Sequence, residues 1–389
     1  MASERVPLRV LVTSTAGAGH VQAVAPFAHA LRDAGHAVLW ATSSDGAAAI
    51  ESLGFDVAEA GMTVDDRRAS LAPRLPAIMA MPPVERRGHL FAGFFALAAA
   101  PKMRADLGPV VDRFRPDLVI HETGELGAAP VATARGIPHV TVAFSGALPG
   151  AAVPMALDAV APVWEAEGLA PPSEADLWGS LYFHPFPPSF GGLPRVDRVR
   201  PTRPGSSAAP AQPPAWLATF GSDRPGLYLT AGTERAAPDA PWAAAAAAIG
   251  SLDVDAVATL GPNVDAALLG EVPTNLRVER FVPQQLLLDR VAVVMSHAGA
   301  GTMLGAAAQG VPQVVTPLFA DQWENAMAIS ASGAGIMLGP DRRTVDDIRS
   351  ALDQALHDET MLEAARRVAH EIAAMPVAAD HVAELATLC

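Results

Sequence analysis

Short apolar runs alternate along the first part of the chain with longer segments whose apolar residues recur at helical spacing. Residues 8–13 form such a run, and residues 37–41 form the next one. Between them, apolar side chains spaced three or four residues apart predict an amphipathic helix that ends at Gly35; they are Val24, Phe27, Ala28 and Leu31. Strand, helix and strand in this order predict a βαβ unit with parallel strands, and therefore an α/β first domain.

The same pattern continues to the end of the chain. Further strands are predicted at residues 117–120, 140–143, 226–230, 254–260, 276–281, 291–295 and 313–316. Helices are predicted at residues 302–309, 366–374 and 381–388. These segments form a first and a second strand–helix array, so we expect two doubly wound parallel-sheet domains of the Rossmann-like type.

A change of composition separates the two arrays. Residues 185–222 are rich in proline, glycine, serine and alanine, which is typical of a linker. A length of 389 residues also favours two domains, each large enough to bury its own core. We therefore predict a first domain at residues 1–200, a linker at 201–225, a second domain at 226–370 and a final helical segment at 371–389.

Charge and cysteine content exclude several classes of partner. The chain has 27 basic and 41 acidic residues, a net charge of −14, and no basic run, so we expect neither nucleic acid nor an anionic membrane as a partner. The single cysteine, Cys389, cannot form an internal disulfide.

The first residues enter a strand and lack a secretory signal, and no apolar run is long enough to span a membrane. We expect a cytoplasmic protein.

The stretch Ser-His-Ala-Gly-Ala-Gly-Thr at residues 296–302 follows a predicted buried strand and opens a predicted helix. Glycines at the N-terminus of a helix let the backbone approach a ligand, and the helix dipole favours an anion there. This turn is therefore a predicted phosphate site. The earlier turn at residues 14–20 is not a dinucleotide fingerprint, because Gln22 stands where the third glycine should be.

The second half of the chain resembles the nucleotide-sugar signature of inverting glycosyltransferases that have two Rossmann-like domains, the GT-B fold. Plant small-molecule glucosyltransferases and bacterial antibiotic glycosyltransferases share this signature, and the chain resembles the actinobacterial natural-product branch more. The matching segments are Phe281-Val282-Pro283-Gln284, the His-x-Gly-x-Gly-Thr at His297 to Thr302, Gly310-Val311-Pro312, Asp321-Gln322 and Asn325. The resemblance implies that the final helix packs back on the first domain.

The resemblance also implies a catalytic base. In such enzymes the Gly-His of the first turn carries it, which is His20 in this chain. Histidine with an ordinary pKa near 6.5 is mostly neutral at pH 7 and can accept a proton. In such enzymes an acidic residue after a buried strand orients the base, and the resemblance implies Glu122 in this role. His121 and Glu125 are alternatives if the register is shifted, and His20 could also be only a polar residue at a helix entry.

The donor site is implied to use His297 as a hydrogen-bond donor to phosphate, Phe281 as a stacking platform for the pyrimidine, and Asp321 with Gln322 as ligands of sugar hydroxyls. The alternatives are a structural histidine and a core phenylalanine. The complete predicted donor set is Gly19, Thr233, Phe281, Val282, His297, Gly299, Ala300, Gly301, Thr302, Asp321 and Gln322.

Residues 61–101 and the loop near 144 contain methionine and phenylalanine side chains that suit a large flat ligand. In the resembling enzymes this region lines the acceptor site, although core packing is the alternative for each residue. The predicted acceptor residues are Met62, Met79, Phe91, Phe94, Phe95 and Phe144.

One position departs from the plant signature and bears on the donor. Gly305 stands where plant members have a glutamate that holds the ribose hydroxyls. Loss of that carboxylate favours a deoxyribose donor, so we expect a TDP-sugar rather than a UDP-sugar. The Asp-x-Asp at residues 253–255 resembles the metal-binding motif of the other glycosyltransferase fold. It lies at the start of a predicted strand, and we interpret the match as chance.

We therefore predict an inverting transferase that uses no metal and no cofactor beyond its TDP- or UDP-sugar co-substrate. Its second substrate would be a small apolar natural product. The alternatives are a nucleotide-sugar epimerase of the same fold and a non-catalytic auxiliary protein that resembles a glycosyltransferase. The sequence leaves a homodimer open.

Overall fold

A computed structural model describes residues 6–148, 150, 152–192, 197–205, 212–232 and 237–389. The chain divides into two compact units. The first unit comprises Met1–Pro185, Leu193–Ser207 and Pro376–Cys389, and the second comprises Phe186–Gly192 and Ala208–Met375. Each unit is built on one parallel sheet. The predicted pair of Rossmann-like domains is confirmed.

The sheet of the first unit has the strand order β3-β2-β1-β4-β5-β6-β7. Its strands are β1 (Arg9–Thr13), β2 (Ala37–Thr42), β3 (Asp56–Glu59), β4 (Leu118–Glu122), β5 (His139–Val142), β6 (Tyr182–His184) and β7 (Val199–Pro201). Strand β4 is buried along its whole length because helices cover both faces of the sheet. The strand order reverses direction between β1 and β4, and ligands of such sheets bind at this point.

Helices follow most of these strands. They are α1 (Ala18–Asp33), α2 (Ser44–Ser52), α3 (Val64–Leu71), α4 (Leu75–Met79), α5 (Pro83–Phe91), a π-helix (Ala92–Ala99), α6 (Ala100–Phe114), α7 (Ala128–Ala134), α8 (Ala152–Glu165) and α9 (Glu174–Trp178). Helix α1 is amphipathic as predicted, and it buries Val24, Phe27 and Leu31 against the sheet. No strand interrupts the described chain between β3 and β4, so this long insertion is helical.

The sheet of the second unit has the strand order β10-β9-β8-β11-β12-β13. Its strands are β8 (Gly226–Thr230), β9 (Asp255–Thr259), β10 (Leu276–Glu279), β11 (Val293–Ser296), β12 (Gln313–Val315) and β13 (Gly335–Met337). Its α-helices are α10 (Trp242–Gly250), α11 (Gln285–Leu288), α12 (Ala300–Ala308), α13 (Gln322–Ala331), α14 (Val345–His357) and α15 (Glu359–Ala374). Short 3-10 turns lie at Pro188–Phe190, Ala215–Ala218, Ala237–Asp239 and Ala266–Leu269.

The end of the chain belongs to the first unit. It forms a 3-10 turn (Ala378–His381) and the short helix α16 (Val382–Leu385). Leu385 is buried in the same apolar cluster as Phe27 and Phe183. The Arg200 guanidinium donates to both carboxylate oxygens of Glu384, with the shortest contact 2.6 Å.

The region predicted to be a linker is structured at both ends. Strand β7 reaches Pro201, and Leu217 is buried in a cluster of the second unit. The division between the units falls after Ser207 and also separates Phe186–Gly192 from its neighbours. Composition alone identified the proline-rich segment but not these packed positions. Within the described residues, no helix is long and apolar enough to cross a membrane.

Candidate functional site

His20 and Glu122 lie next to each other in the first unit. Helix α1 begins at Ala18, so His20 lies in its first turn and not in the preceding loop as predicted. Its Nδ1 lies 3.0 Å from Oε1 of Glu122, the last residue of β4. The distance suits a hydrogen bond, although the Nδ1–H bond is not aimed directly at that oxygen. With the proton on Nδ1, Nε2 has a free lone pair and can accept a proton.

Glu122 is fully buried, and further donors hold its carboxylate. Thr15 donates to Oε1 through its backbone N–H at 3.1 Å and its hydroxyl at 3.0 Å. The backbone N–H of Gly124 donates to Oε2. Burial opposes ionisation, but the adjacent His20 imidazole and these donors outweigh it and hold the pKa of Glu122 below its usual value. Glu122 is therefore a carboxylate that can orient the imidazole.

The two alternatives to Glu122 lie elsewhere. Glu125 is buried and accepts from Thr13 Oγ1 and from the backbone N–H groups of Gly127 and Ala128. Burial raises the pKa of Glu125 to about 7. His121 points to the other side of the strand, where its Nε2 lies 3.1 Å from His139 Nδ1.

Two of the six predicted acceptor residues contact the base. The ring centroids of Phe144 and Phe95 lie 4.3 Å and 5.4 Å from that of His20. The Arg67 guanidinium lies 5.3 Å from the centre of the Phe95 ring, a cation–π contact that the sequence did not predict. An apolar wall therefore stands beside the imidazole.

The other four predicted acceptor residues are spread over the first unit. Phe91 is buried in a core cluster with Trp164, and its ring centroid lies 5.0 Å from that of Phe95. Met79 is exposed on α4, and Phe94 is half-buried in the π-helix. Met62 lines a small cavity whose walls also include Glu125.

The predicted phosphate turn has the expected local structure in the second unit. Helix α12 begins at Ala300, two residues earlier than predicted, and Gly299 caps it in an extended conformation. The backbone N–H groups of Ala300, Gly301 and Thr302 are thus in the first turn of the helix, where they have no partner within the helix. Ala298 precedes them with a left-handed φ of 64°. These donors and the helix dipole are suited to an anion.

His297 is buried at the end of β11, with its ring between two glycines. A Cβ on Gly232 would lie 2.7 Å from His297 Cε1, and a Cβ on Gly299 would lie 2.8 Å from the same atom. Burial lowers the pKa of His297 to about 4, although the charge of Asp321 opposes this shift. His297 is therefore neutral at pH 7 and has one ring N–H, for which the backbone of Thr230 competes with a ligand.

Two predicted donor ligands use part of their hydrogen-bonding capacity inside the protein. Gln322 Oε1 accepts from the backbone N–H groups of Leu318 and Phe319, at 2.8 Å and 3.1 Å. Only the amide N–H groups of Gln322 remain for a ligand. The Thr302 hydroxyl donates to Gln284 Oε1 at 3.2 Å, so the ligand role predicted for Thr302 falls to its backbone N–H.

The remaining predicted donor residues differ in exposure. The Phe281 side chain is 70% exposed, which rules out a core role and leaves its ring face accessible. Val282 is buried with its side chain in a core cluster. Gly19 is exposed in the first turn of α1. Thr233 lies outside the described residues. In the described part of the chain, no group of three or more His, Cys, Asp or Glu side chains could hold a metal ion.

The chain is similar to known proteins along nearly its whole length. Residues 243–388 match the family described as "Erythromycin biosynthesis protein CIII-like, C-terminal domain". The L-demethylnoviosyl transferase of Streptomyces niveus is 33% identical over 382 residues, which cover 96% of each chain.

Solved structures agree with these relatives. The glycosyltransferase SnogD from Streptomyces nogalater is 26% identical, with a TM-score of 0.78 over 98% of this chain and 99% of its own. The glycosyltransferase VinC, solved in complex with dTDP, is also 26% identical and has a TM-score of 0.81 over the same shares of the two chains.

Proposed function

The chain belongs to the actinobacterial natural-product glycosyltransferases of GT-B fold, and we propose that it moves a deoxysugar from a TDP-sugar to a small apolar acceptor. Transfer inverts the configuration at the anomeric carbon. The observation that carries the proposed mechanism is the 3.0 Å contact between His20 Nδ1 and Glu122 Oε1.

In this mechanism the acceptor hydroxyl loses its proton to His20 Nε2 as its oxygen attacks the anomeric carbon. Glu122 fixes the tautomer and stabilises the imidazolium that forms, as the acid does in a catalytic triad. Such a base contributes roughly 10²–10⁴-fold in rate. The bond between the anomeric carbon and the diphosphate oxygen breaks, and the diphosphate leaves with the electron pair. Attack opposite the leaving group gives the inverted product.

The leaving diphosphate gains negative charge, which the phosphate turn would stabilise. Backbone N–H groups at the start of α12 and the neutral His297 are fixed before the reaction, so they need no reorganisation when the charge develops. We propose that these donors serve where other sugar transferases use a metal ion. Activity should then survive EDTA, and loss of activity with EDTA that Mg²⁺ or Mn²⁺ restores would overturn this part of the proposal.

The preference for TDP over UDP rests on Gly305. This glycine offers no carboxylate to a ribose 2′-hydroxyl, and its Cα faces Leu288 and Gln284, since an added Cβ would lie 2.9 Å from Leu288 Cδ1. The structural relative VinC, solved with dTDP, supports the same donor class. The apolar acceptor rests on the rings of Phe95 and Phe144 beside His20.

The two alternatives have less support. An epimerase would need no base for an acceptor hydroxyl, and an auxiliary protein would need neither the base nor the phosphate turn. This chain keeps both features, and its relatives are transferases.

The first experiment measures binding of TDP, UDP and NAD to the wild type, to His297→Ala and to the control His357→Ala, whose side chain is 71% exposed. A ligand at about 100 times its dissociation constant adds roughly 2.7 kcal/mol to the stability of the folded state, which is visible as a rise in melting temperature. We expect a larger shift with TDP than with UDP, unchanged in His357→Ala and lost in His297→Ala.

A shift with UDP alone would overturn the donor preference, and a shift with NAD alone would overturn the proposed function. The binding experiment is followed by a turnover assay with TDP-sugars and a panel of apolar alcohols and phenols. Mass spectrometry of the glycosylated product then identifies the acceptor class, and NMR of the purified product gives the configuration at the anomeric carbon.

A further inference from the structure

One buried amide contacts both parts of the predicted donor site in the second unit. Asn325 lies on the first turns of α13 and is fully buried. Its Nδ2 donates to the carbonyl oxygen of Ala298 at 2.9 Å and to Asp321 Oδ2 at 2.9 Å. Both partners are acceptors, which fixes the orientation of the amide, because only its nitrogen can face the two of them.

The hydrogen bond from Asn325 supports a strained backbone conformation at Ala298. A non-glycine residue in the left-handed region is disfavoured, and Ala298 adopts a φ of 64° immediately before the cap of α12. Its peptide groups are held on both sides, since its N–H donates to Ser296 Oγ at 3.2 Å and its carbonyl accepts from Asn325. Without the second contact, a buried carbonyl would lose its donor and the strained turn would lose a restraint.

Asp321 is the second partner of the same amide. The negative charge of Asp321 acts on His297, since it raises the pKa of that histidine against the effect of burial. The hydrogen bond from Asn325 engages one carboxylate oxygen of Asp321 and so limits the rotation of the side chain. The predicted sugar ligand and the predicted phosphate turn are thus held by a single residue.

We propose that Asn325 is a positioning residue that sets the phosphate turn and the Asp321 carboxylate in the arrangement that binds the nucleotide sugar. This inference rests on the proposed function of the site. Asparagine suits the role because it offers two N–H donors on a short side chain. Leucine of similar size offers none, and aspartate would place a carboxylate against two acceptors.

The test uses isothermal titration of the full chain with TDP. Asn325→Leu and Asn325→Asp should each bind TDP roughly tenfold or more weakly than the wild type, because the turn loses its restraint. The control is Asn275→Leu, which removes an amide that also donates to backbone carbonyls, those of Ile249 and Leu252, but does not touch the site. It should lower the melting temperature and leave the affinity for TDP within about twofold.

A rescue variant separates positioning from general stability. Glycine adopts the left-handed conformation without strain, so Ala298→Gly in the Asn325→Leu background should recover most of the affinity for TDP, judged against Ala298→Gly alone. The melting temperature should change only by as much as Ala298→Gly changes it in the wild type, because the carbonyl of residue 298 still lacks its donor.

Three results would overturn the inference. They are wild-type affinity in both Asn325 variants, equal loss of affinity in Asn275→Leu, and no recovery in the double variant. If Asn325→Leu does not fold, Asn325→Asp and its double variant with Ala298→Gly decide the question. A wild-type chain that fails to bind TDP would instead overturn the proposed function, and the inference with it.

Discussion

Glu122 and Glu125 are both buried at the end of β4, yet their pKa values shift in opposite directions. For Glu122, the adjacent His20 and three hydrogen-bond donors overcome the effect of burial. For Glu125, burial dominates, and the nearby Glu122 charge adds to the upward shift. Neighbouring carboxyl groups with separated pKa values are typical of sites that handle protons.

Glu125→Gln should stabilise the protein increasingly as the pH rises. The pKa of Glu125 is about 7 in the folded chain, so the carboxyl keeps its proton up to about that pH. An unfolded glutamate releases its proton near pH 4.3. The wild type therefore loses stability as the pH rises across this interval. Glutamine does not titrate, so the variant does not lose stability in this way. The free energy of unfolding of the variant, relative to the wild type, should rise between about pH 4.5 and 7 by at most about 3 kcal/mol. Urea unfolding at several pH values measures it, and a difference that does not vary with pH would contradict the assignment.

His20→Ala and Glu122→Gln should both lower kcat, by roughly 10²–10⁴-fold for the base. If the two residues act as a unit, the double variant should be no slower than His20→Ala alone. Steady-state kinetics with the acceptor found in the turnover assay measures this, with TDP affinity as the control for folding. Losses that multiply in the double variant would show that the two residues act separately.

Gly17 limits the position of the His20 ring, and Gly17→Ala tests this. An added Cβ would lie 2.6 Å from His20 Cδ2, so the imidazole must move. The φ of Gly17 is −87°, which alanine adopts without strain, so the effect should come from the ring and not from the backbone. We expect kcat to fall roughly tenfold or more. The control is Gly108→Ala in α6, where the nearest atom to an added Cβ is 3.7 Å away. Wild-type kcat in Gly17→Ala would contradict the expectation.

The sequence predicted the central strands better than the edges of the sheets. Strands such as β1, β4 and β8 are apolar runs buried on both faces, so the pattern identifies them. The edge strand β10 was predicted, whereas the edge strands β3, β7 and β13 and the interior strand β6 were not. They are only three or four residues long, and β7 contains Arg200 and a proline, so neither length nor periodicity distinguishes them from loops.

The sequence likewise identified the residues of the candidate site but not the contacts that hold them. Glu122 and Thr15 are 107 residues apart, and Asn325 and Ala298 are 27 residues apart. Their contacts arise because loops from neighbouring strands meet at one edge of a sheet. Side-chain direction also decided roles that composition could not, as for Gln322, whose amide oxygen is turned toward its own loop.

The buried histidines His121 and His139 should make the protein less stable as the pH falls below about 6.5. Burial lowers their pKa values to about 4 and about 3, and the nearby His121 lowers that of His139 further. The unfolded chain binds protons at both sites near pH 6.5, while the folded chain does not, so each histidine removes roughly 1.4 kcal/mol of stability per pH unit between about pH 6 and 4. Unfolding in urea at pH 7, 6 and 5 measures the loss.

Glu125 partly offsets this loss of stability at acid pH. Over the same interval, Glu125 holds a proton in the folded chain that the unfolded chain has released. The two effects have opposite signs, so the slope of stability against pH should be steeper toward acid in Glu125→Gln than in the wild type. Adding His121→Gln and His139→Gln to that variant should reduce the slope but not abolish it, because burial also lowers the pKa of His297 to about 4. A slope that stays equally steep without the two histidines would assign the acid sensitivity to other groups.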